Sequence, residues 1–243
     1  MINSTSSTSD TTIEAIDSSF MLKVFYGFLA LAIVSVFINI AGKQIGQSIA
    51  MGGHTDDRTV HEIVIGNNVL SVPANEIRFK DERRSGVTGQ LEVYLHWPDM
   101  NGYTDAARDD FNNANNTQNI IFISFREQAM SRDMSGRLAP IYNALISKPG
   151  VPGPGGITFY AFKEKSGYLN ELLAVAEGIN GTHFVARCLN AEAAKMSLAA
   201  CERDVHVGQD LSLTYRFSKS LLSDWRRLDA SMVAYANARL RSR

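Results

Sequence analysis

One long apolar run precedes the alternating apolar and polar positions that make up the rest of the chain. From Val24 to Ala41, eighteen residues pass without a charged side chain, and only Ser35 and Asn39 are clearly polar. At about 1.5 Å of rise per residue, a helix of this length crosses the hydrocarbon core of a bilayer. The pattern predicts a transmembrane helix over residues 20–42.

Two other interpretations of the run stay open. Ser48-Ile49-Ala50 resembles the cleavage site of a signal peptide, although the segment before Lys23 carries acidic residues and no cation. A buried helix of a soluble protein would normally show a polar stripe, which this run lacks. A retained anchor fits the pattern best.

Beyond residue 60, apolar residues mostly alternate with polar ones, as in antiparallel strands with one covered face. A Gly-Asn-Asn turn predicts a hairpin over residues 61–73. Further strands are predicted at residues 76–79, 90–97, 119–127, 157–163, 172–176, 183–188 and 211–217. Short helices are predicted within residues 104–116 and 137–147. The segment 150–156, rich in Gly and Pro, predicts a stiff exposed loop outside the sheet.

The last segment has helical periodicity. Apolar residues recur at spacings of three and four, namely Leu221, Trp225, Leu228, Met232 and Tyr235, which predicts an amphipathic helix over residues 218–240. A series of strands followed by such a helix indicates the α+β class. We expect a single transmembrane helix, then a mainly antiparallel β domain covered by the C-terminal helix. The alternative is a β-sandwich with an edge helix.

The composition divides the chain into four parts. Residues 1–19 are rich in Ser and Thr and predict a disordered tail. The transmembrane helix at 20–42 is followed by a short stalk of small and polar residues at 43–59. Residues 60–243 are long enough to form one domain with a substantial core.

The only two cysteines, Cys188 and Cys201, flank a short segment that Asn190 can cap as a helix. A disulfide between them would stabilise the domain by about 3 kcal/mol in an oxidising compartment. Two unconnected thiols in a cytosolic domain are the alternative. The disulfide interpretation places the tail in the cytosol and the domain in the periplasm of a bacterial inner-membrane protein. An endoplasmic-reticulum origin would instead make Asn115 and Asn180 glycosylation acceptors.

The balance of acidic and basic residues limits the classes of partner that the chain is expected to bind. The chain has 24 Lys and Arg against 25 Asp and Glu, and the part after residue 51 has a net charge of zero. Nucleic-acid binding normally requires a basic face, so nucleic acid is not expected as a partner. The five histidines show no helical zinc spacing, and the chain contains neither a phosphate-binding loop nor a nucleophile elbow. We therefore expect no metal and no cofactor.

A candidate binding site surrounds the strand at 90–97. Arg83 and Arg84 precede this strand, while Trp97 and Tyr103 follow it. Exposed aromatic rings beside arginines are typical of protein interfaces. The alternative is that Trp97 is a core anchor.

These patterns favour a single-pass envelope protein whose extracytoplasmic domain binds a protein or an envelope polymer, or serves as an accessory subunit of a membrane complex. The alternative is a membrane-anchored hydrolase. Asp204 and His206 would share one face of a strand, and Asp105, Asp109 and Asp110 form an acidic cluster.

Overall fold

The computed structural model describes residues 18–50, 53–114, 118–178 and 181–241, which form two compact units. The first is helix α1 (Ser18–Ala50), whose apolar part Met21–Ile38 is long enough to cross a membrane, a criterion that a signal sequence also meets. The helix continues through the first residues of the predicted stalk. Most of the predicted tail, and both Asn115 and Asn180, lie outside the described residues.

The second unit is a domain of strands and mostly short helices. Its described strands are β1 (Val60–Ile65), β2 (Asn68–Pro73), β3 (Gly86–Val87), β4 (Gln90–His96), β5 (Ile120–Glu127), β6 (Val151–Pro152), β7 (Thr158–Ala161), β8 (Glu171–Glu177), β9 (His183–Leu189), β10 (Cys201–Val207) and β11 (Leu211–Phe217). Its described helices are α2 (Arg108–Phe111), α3 (Met134–Arg137), α4 (Asn143–Leu145), α5 (Ala191–Ala194) and α6 (Trp225–Arg239). A π-helical turn, Leu138–Tyr142, joins α3 to α4.

In the described part of the chain, eight strands form one antiparallel sheet in the order β4-β5-β11-β10-β9-β8-β7-β6. A smaller sheet has the order β2-β1-β3, in which β1 pairs antiparallel with β2 and parallel with β3. The predicted α+β class with a mainly antiparallel β domain is confirmed.

The main core lies between the large sheet on one side and helix α6 with the small sheet on the other. Helix α6 contributes Trp225, Leu228 and Met232, which pack in one cluster with inward residues of β11 such as Leu213. Ser218 caps the 3₁₀ turn that leads into α6, because its side chain accepts a hydrogen bond from the Ser220 backbone N–H. The predicted C-terminal amphipathic helix is therefore confirmed.

The large sheet is also covered on parts of its second face, so the expectation of one covered face is wrong. At one end, Met134 and Tyr142 pack on Val185 of β9. At the other end, Tyr103 packs on Tyr94 of β4. Between these two clusters, β5, β11 and β10 present half-buried and exposed side chains, and we call this area the open face.

Strands β9 and β10 pair only at one end and then separate. Their ladder contains the disulfide-bonded pair Cys188 and Cys201 and one further pair of residues. Beyond it, α3 lies against both strands. Arg203 of β10 donates from Nη1 to the carbonyl of Val185 on β9 at 3.0 Å. The cysteine pair expected from the sequence thus closes the narrow end of a gap that α3 and Arg203 fill.

Two predicted elements differ from the structure. Residues 76–79 do not form a strand, since a 3₁₀ turn, Ala74–Glu76, leads into a single bridge between Ile77 and Val93. The segment 150–156 is not outside the sheet, because it contains β6, which pairs with β7 at the sheet edge. An edge strand tolerates a proline whose missing N–H would face outward.

Candidate binding surface

Trp97 and Tyr103, the rings expected to be exposed for binding, are both buried. Only 6% of Trp97 is exposed, and its side chain belongs to the main core. Tyr103 is fully buried in a different cluster with Tyr94. Neither ring is available to a partner in this structure, because each packs inside a buried cluster. Trp97 is a core anchor, which was the alternative interpretation of the sequence.

Arg83 and Arg84 are neighbours in the sequence but lie in different surroundings. Arg83 donates from Nε to the carbonyl of Ile77 at 3.1 Å and from Nη2 to the carbonyl of Gly53 at 2.8 Å. Its guanidinium therefore links two separate backbone segments, at Ile77 and Gly53, to its own. Arg84 is exposed at the rim of a depression of about 400 Å³ beside β3, and a binding role for it stays a prediction.

His54, which the sequence placed in the stalk, is docked on the domain. Its ring stacks on Tyr103 at 4.9 Å between centroids, and its Nδ1 lies 2.9 Å from the Tyr94 hydroxyl. Burial lowers the pKa of His54 below its usual value, helped by the positive charges of Arg83 and Arg78. Burial also raises the pKa of Tyr94 to about 12. Nothing in the local sequence around His54 signals this contact.

The residues of the hydrolase alternative are engaged in other contacts. Asp204 forms an ion pair with Arg137, and both side chains are largely buried. Burial raises the pKa of Asp204, although the Arg137 charge opposes the shift. His206 does lie on the same side of β10, as alternation predicts. The pairing with Arg137 gives Asp204 a structural partner.

The acidic cluster at Asp105, Asp109 and Asp110 does not converge on one point. Asp110 lies 3.0 Å from Nε2 of His96, whereas the exposed Asp109 lies beside Arg108. Asp105 is exposed in the first turn of the preceding 3₁₀ segment. Across the described residues, no three His, Cys, Asp or Glu side chains are grouped closely enough to hold a metal ion.

The open face is organised by cross-strand pairing. One row of directly opposed residues runs across five strands from β4 to β9, in the order Tyr94, Phe122, Arg216, Glu202 and Arg187. Phe122 lies between the buried residues Ile121 and Ile123, so alternation directs its ring to the open face. Two strands that are far apart in the sequence, β5 and β11, thereby place an aromatic ring beside a guanidinium.

A mixed aromatic and cationic surface surrounds this ring. The guanidinium of Arg78 lies 4.9 Å from the centroids of both Phe79 and Phe122, while that of Arg216 lies 6.0 Å from the Phe122 centroid. Leu198 lines a small depression together with Phe122. Phe79 and Leu198 are each more than 40% exposed. We call Arg78, Phe79, Phe122, Leu198 and Arg216 the Phe122 patch.

The patch adjoins the loop that the disulfide closes. Leu198 belongs to this loop, and Met196 at its tip is 94% exposed. Asn190 caps α5 by accepting from the Ala193 N–H at 3.0 Å, and its own N–H donates to the carbonyl of Asn170 at 2.7 Å. The loop is thus held at its base by a disulfide and by hydrogen bonds, so its exposed apolar side chains are presented by an ordered support.

A second concave surface lies beside helix α6. This cleft of about 650 Å³ is lined by Val233, Trp225 and Arg226 of α6 and by His183 and His206 from the sheet. Its floor holds Arg203, whose Nε donates to Asp229 at 2.8 Å. Since these buried charges neutralise each other and attach α6 to the sheet, the floor of the cleft has a structural role.

Comparison with known proteins gives a fold and no family. Neither a protein-family model nor a curated protein matches the chain. The chain is similar to Smlt3025, an immunity protein of the Stenotrophomonas maltophilia type IV secretion system, with a TM-score of 0.51 and 18% identity over 79% of this chain and 96% of that one. This likeness shows a shared fold.

A second solved structure matches less well. FrpD, the Neisseria meningitidis iron-regulated outer membrane lipoprotein, has a TM-score of 0.39 and 9% identity over 76% of this chain and 97% of that one. A TM-score this low does not establish a shared fold.

Proposed function

We propose that the chain is a membrane-anchored, protein-binding module of the bacterial envelope, and that the Phe122 patch is its binding surface. The observation that carries this proposal is the patch itself. Aromatic rings, arginines and an exposed leucine lie together beside an ordered, disulfide-closed loop. Interfaces are enriched in aromatic residues, Met and Arg, and rigid support lowers the entropy lost on binding.

The likeness in fold to an immunity protein of a secretion system supports a binding role and gives it a more specific form. In that form, the chain binds a toxic protein and neutralises it. The binding surface of such a protein needs shape and charge complementarity rather than catalytic groups.

The placement in the cell is the second part of the proposal. Residues 20–42 anchor the chain in the inner membrane, residues 43–59 link the anchor to the domain, and residues 60–243 lie in the periplasm. The apolar stretch Met21–Ile38 supports an anchor, and the disulfide fits an oxidising compartment. The short tail, residues 1–19, then lies in the cytosol.

Chemical crosslinking of the full-length protein in its native membrane, followed by purification, tests the binding function. We expect one partner in constant ratio with the wild type and with the control Val151→Asp, an exposed change at the opposite sheet edge. Leu198→Asp should lose this partner, since it places a negative charge among the apolar side chains of the patch. Recovery of the wild-type chain alone would contradict the proposal.

Co-culture tests the immunity form directly. A strain that lacks the chain should be killed in contact with its parent, and wild-type chain should restore survival while Leu198→Asp should not. Equal survival of the deletion strain would reject neutralisation of a toxin and leave the broader binding function in place.

A further inference from the structure

The charges of the open face are distributed unevenly between its interior and its surface. Arg126 and Glu92 form an ion pair at 3.1 Å, but 58% of the Arg126 side chain is exposed against 9% of the Glu92 side chain. Arg216 is exposed as well. The most exposed charged groups of this face are therefore guanidinium groups, since Glu92 is buried and the partly exposed Glu202 is paired with Arg187. Asp110, which borders the Phe122 depression, is paired with His96.

Arg216 is not paired with the acidic residue directly opposite it. Its cross-strand neighbour Glu202 is bound to Arg187 at 2.6 Å between Oε1 and Nη2. Among the described residues, no carboxylate lies within ion-pair distance of Arg216. Its guanidinium lies instead against the Phe122 ring. An exposed guanidinium of this kind can form a bidentate contact with an incoming carboxylate.

We infer that the Phe122 patch binds an acidic segment of a protein partner, in which a carboxylate pairs with Arg216 and a neighbouring apolar side chain packs on Phe79, Phe122 and Leu198. This inference rests on the proposed protein-binding function and adds the chemistry of the partner.

An acidic segment of a protein fits this surface better than a nucleic acid or an anionic lipid does. The patch alternates cations with apolar groups, and buried carboxylates such as Glu92 lie immediately beneath the open face. A nucleic-acid or anionic-lipid site would instead need a continuous basic surface. The whole chain carries a formal net charge of −1, which gives no long-range attraction for a polyanion.

The test is site-specific photocrosslinking in living cells with the full-length chain. The photoreactive amino acid p-benzoylphenylalanine replaces Leu198 in one strain and replaces Val87, Val151 or Val233 in others, since all four side chains are exposed and lie on different parts of the domain. Crosslinked products are sized and identified by mass spectrometry. We expect a protein adduct from position 198 and none, or far less, from the other three.

Charge reversal then tests the carboxylate. Arg216→Glu should reduce the adduct from position 198 at least tenfold. Arg226→Glu is the matched control, because Arg226 is also exposed and stacks on an aromatic ring, that of Trp225 at 4.5 Å. Changing an acidic residue of the crosslinked partner segment to Lys should restore the adduct with Arg216→Glu. Thermal unfolding of each variant verifies folding, and Arg216→Gln replaces the reversal if Arg216→Glu does not fold.

The outcomes separate this inference from the proposed function. A position-198 adduct that survives Arg216→Glu would overturn the acidic partner and keep the binding function. Protein adducts from positions 87, 151 or 233 alone would overturn both the acidic partner and the Phe122 patch as the binding surface, and would keep only a protein-binding role for another part of the domain. A lipid adduct at position 198 would also overturn it, in favour of a membrane surface. Protein adducts from none of the four positions would contradict both proposals.

Discussion

Arg203 carries a positive charge into the interior between β9 and β10. Its guanidinium donates to both carboxylate oxygens of Asp229, at 2.8 and 3.3 Å, and to the Ser135 hydroxyl at 2.9 Å. Asp229 also accepts from the Tyr215 hydroxyl at 2.7 Å. Burial raises the pKa of that tyrosine well above its usual value, so it stays a donor. These contacts hold helix α6 on the sheet.

Removal of the Asp229 carboxylate should therefore lower the stability of the domain. We expect Asp229→Ala to lower the free energy of unfolding by about 3 kcal/mol, because it leaves the Arg203 charge buried without a counterion. Asp224→Ala, directly before the same helix, should cost less than about 0.5 kcal/mol, because Asp224 is half exposed beside Arg227 and its side chain makes no capping hydrogen bond. Urea unfolding of the detergent-solubilised chain, followed by tryptophan fluorescence, measures both. Equal losses would mean that the buried pair is not a specific stabilising contact.

The second prediction at residue scale concerns pH. Because the folded-state pKa of His54 lies below its ordinary 6.5, the unfolded chain takes up the proton first. The contribution of the His54 contact to stability is thus fully present above pH 6.5. It is lost as the pH falls through the lowered pKa. His54→Phe retains a ring and removes this titration. Urea midpoints between pH 8 and 5 should fall more steeply for wild type than for His54→Phe, and parallel curves would contradict the assignment.

At the scale of elements, the disulfide joins directly opposed residues where β9 and β10 begin to separate. The loop it closes contains α5 and the exposed side chains of Met196 and Leu198. Beyond the disulfide, the two strands are not joined by a continuous ladder, and α3 lies against both of them. The covalent link therefore fixes the point at which the two halves of the sheet meet.

Loss of this link should destabilise the domain. The cysteines are 13 positions apart, and closing a loop of this size contributes about 3 kcal/mol in the chain-entropy model. We expect the double variant Cys188→Ala and Cys201→Ala to lose about that amount in urea unfolding. Reductant should lower the wild type to the same level and leave the double variant unchanged. A wild type insensitive to reductant, with full reduction verified by thiol titration, would rule out this contribution.

At the scale of the whole molecule, the described chain comprises an apolar helix and a folded domain. A retained anchor and a cleaved signal sequence predict different mature chains. We expect the membrane fraction to contain the intact chain of 26.7 kDa, resistant to alkaline extraction. Intact-mass spectrometry decides this point, since a soluble chain that begins after Ala50 would show cleavage.

Much of the fold was predictable from local patterns, because these record which side chains avoid water. Period-two alternation located β4, β5 and β11 closely, and spacings of three and four located α6. The same alternation failed at residues 76–79, where a turn after Pro73 replaces the strand. It also predicted one covered face, whereas Tyr94 on the other face is covered by Tyr103 and His54.

The sequence by itself determined the apolar helix, most of the strands, the terminal helix and the cysteine pair, because each depends on neighbouring residues or on the count of cysteines. Only the tertiary structure decided that Trp97 and Tyr103 are buried and that Phe122 lies beside Arg216. Alternation tells which side of a strand a residue occupies, but not which strand lies next to it. The pairing of β5 with β11 is set by the packing of the whole core, and that pairing creates the candidate binding surface.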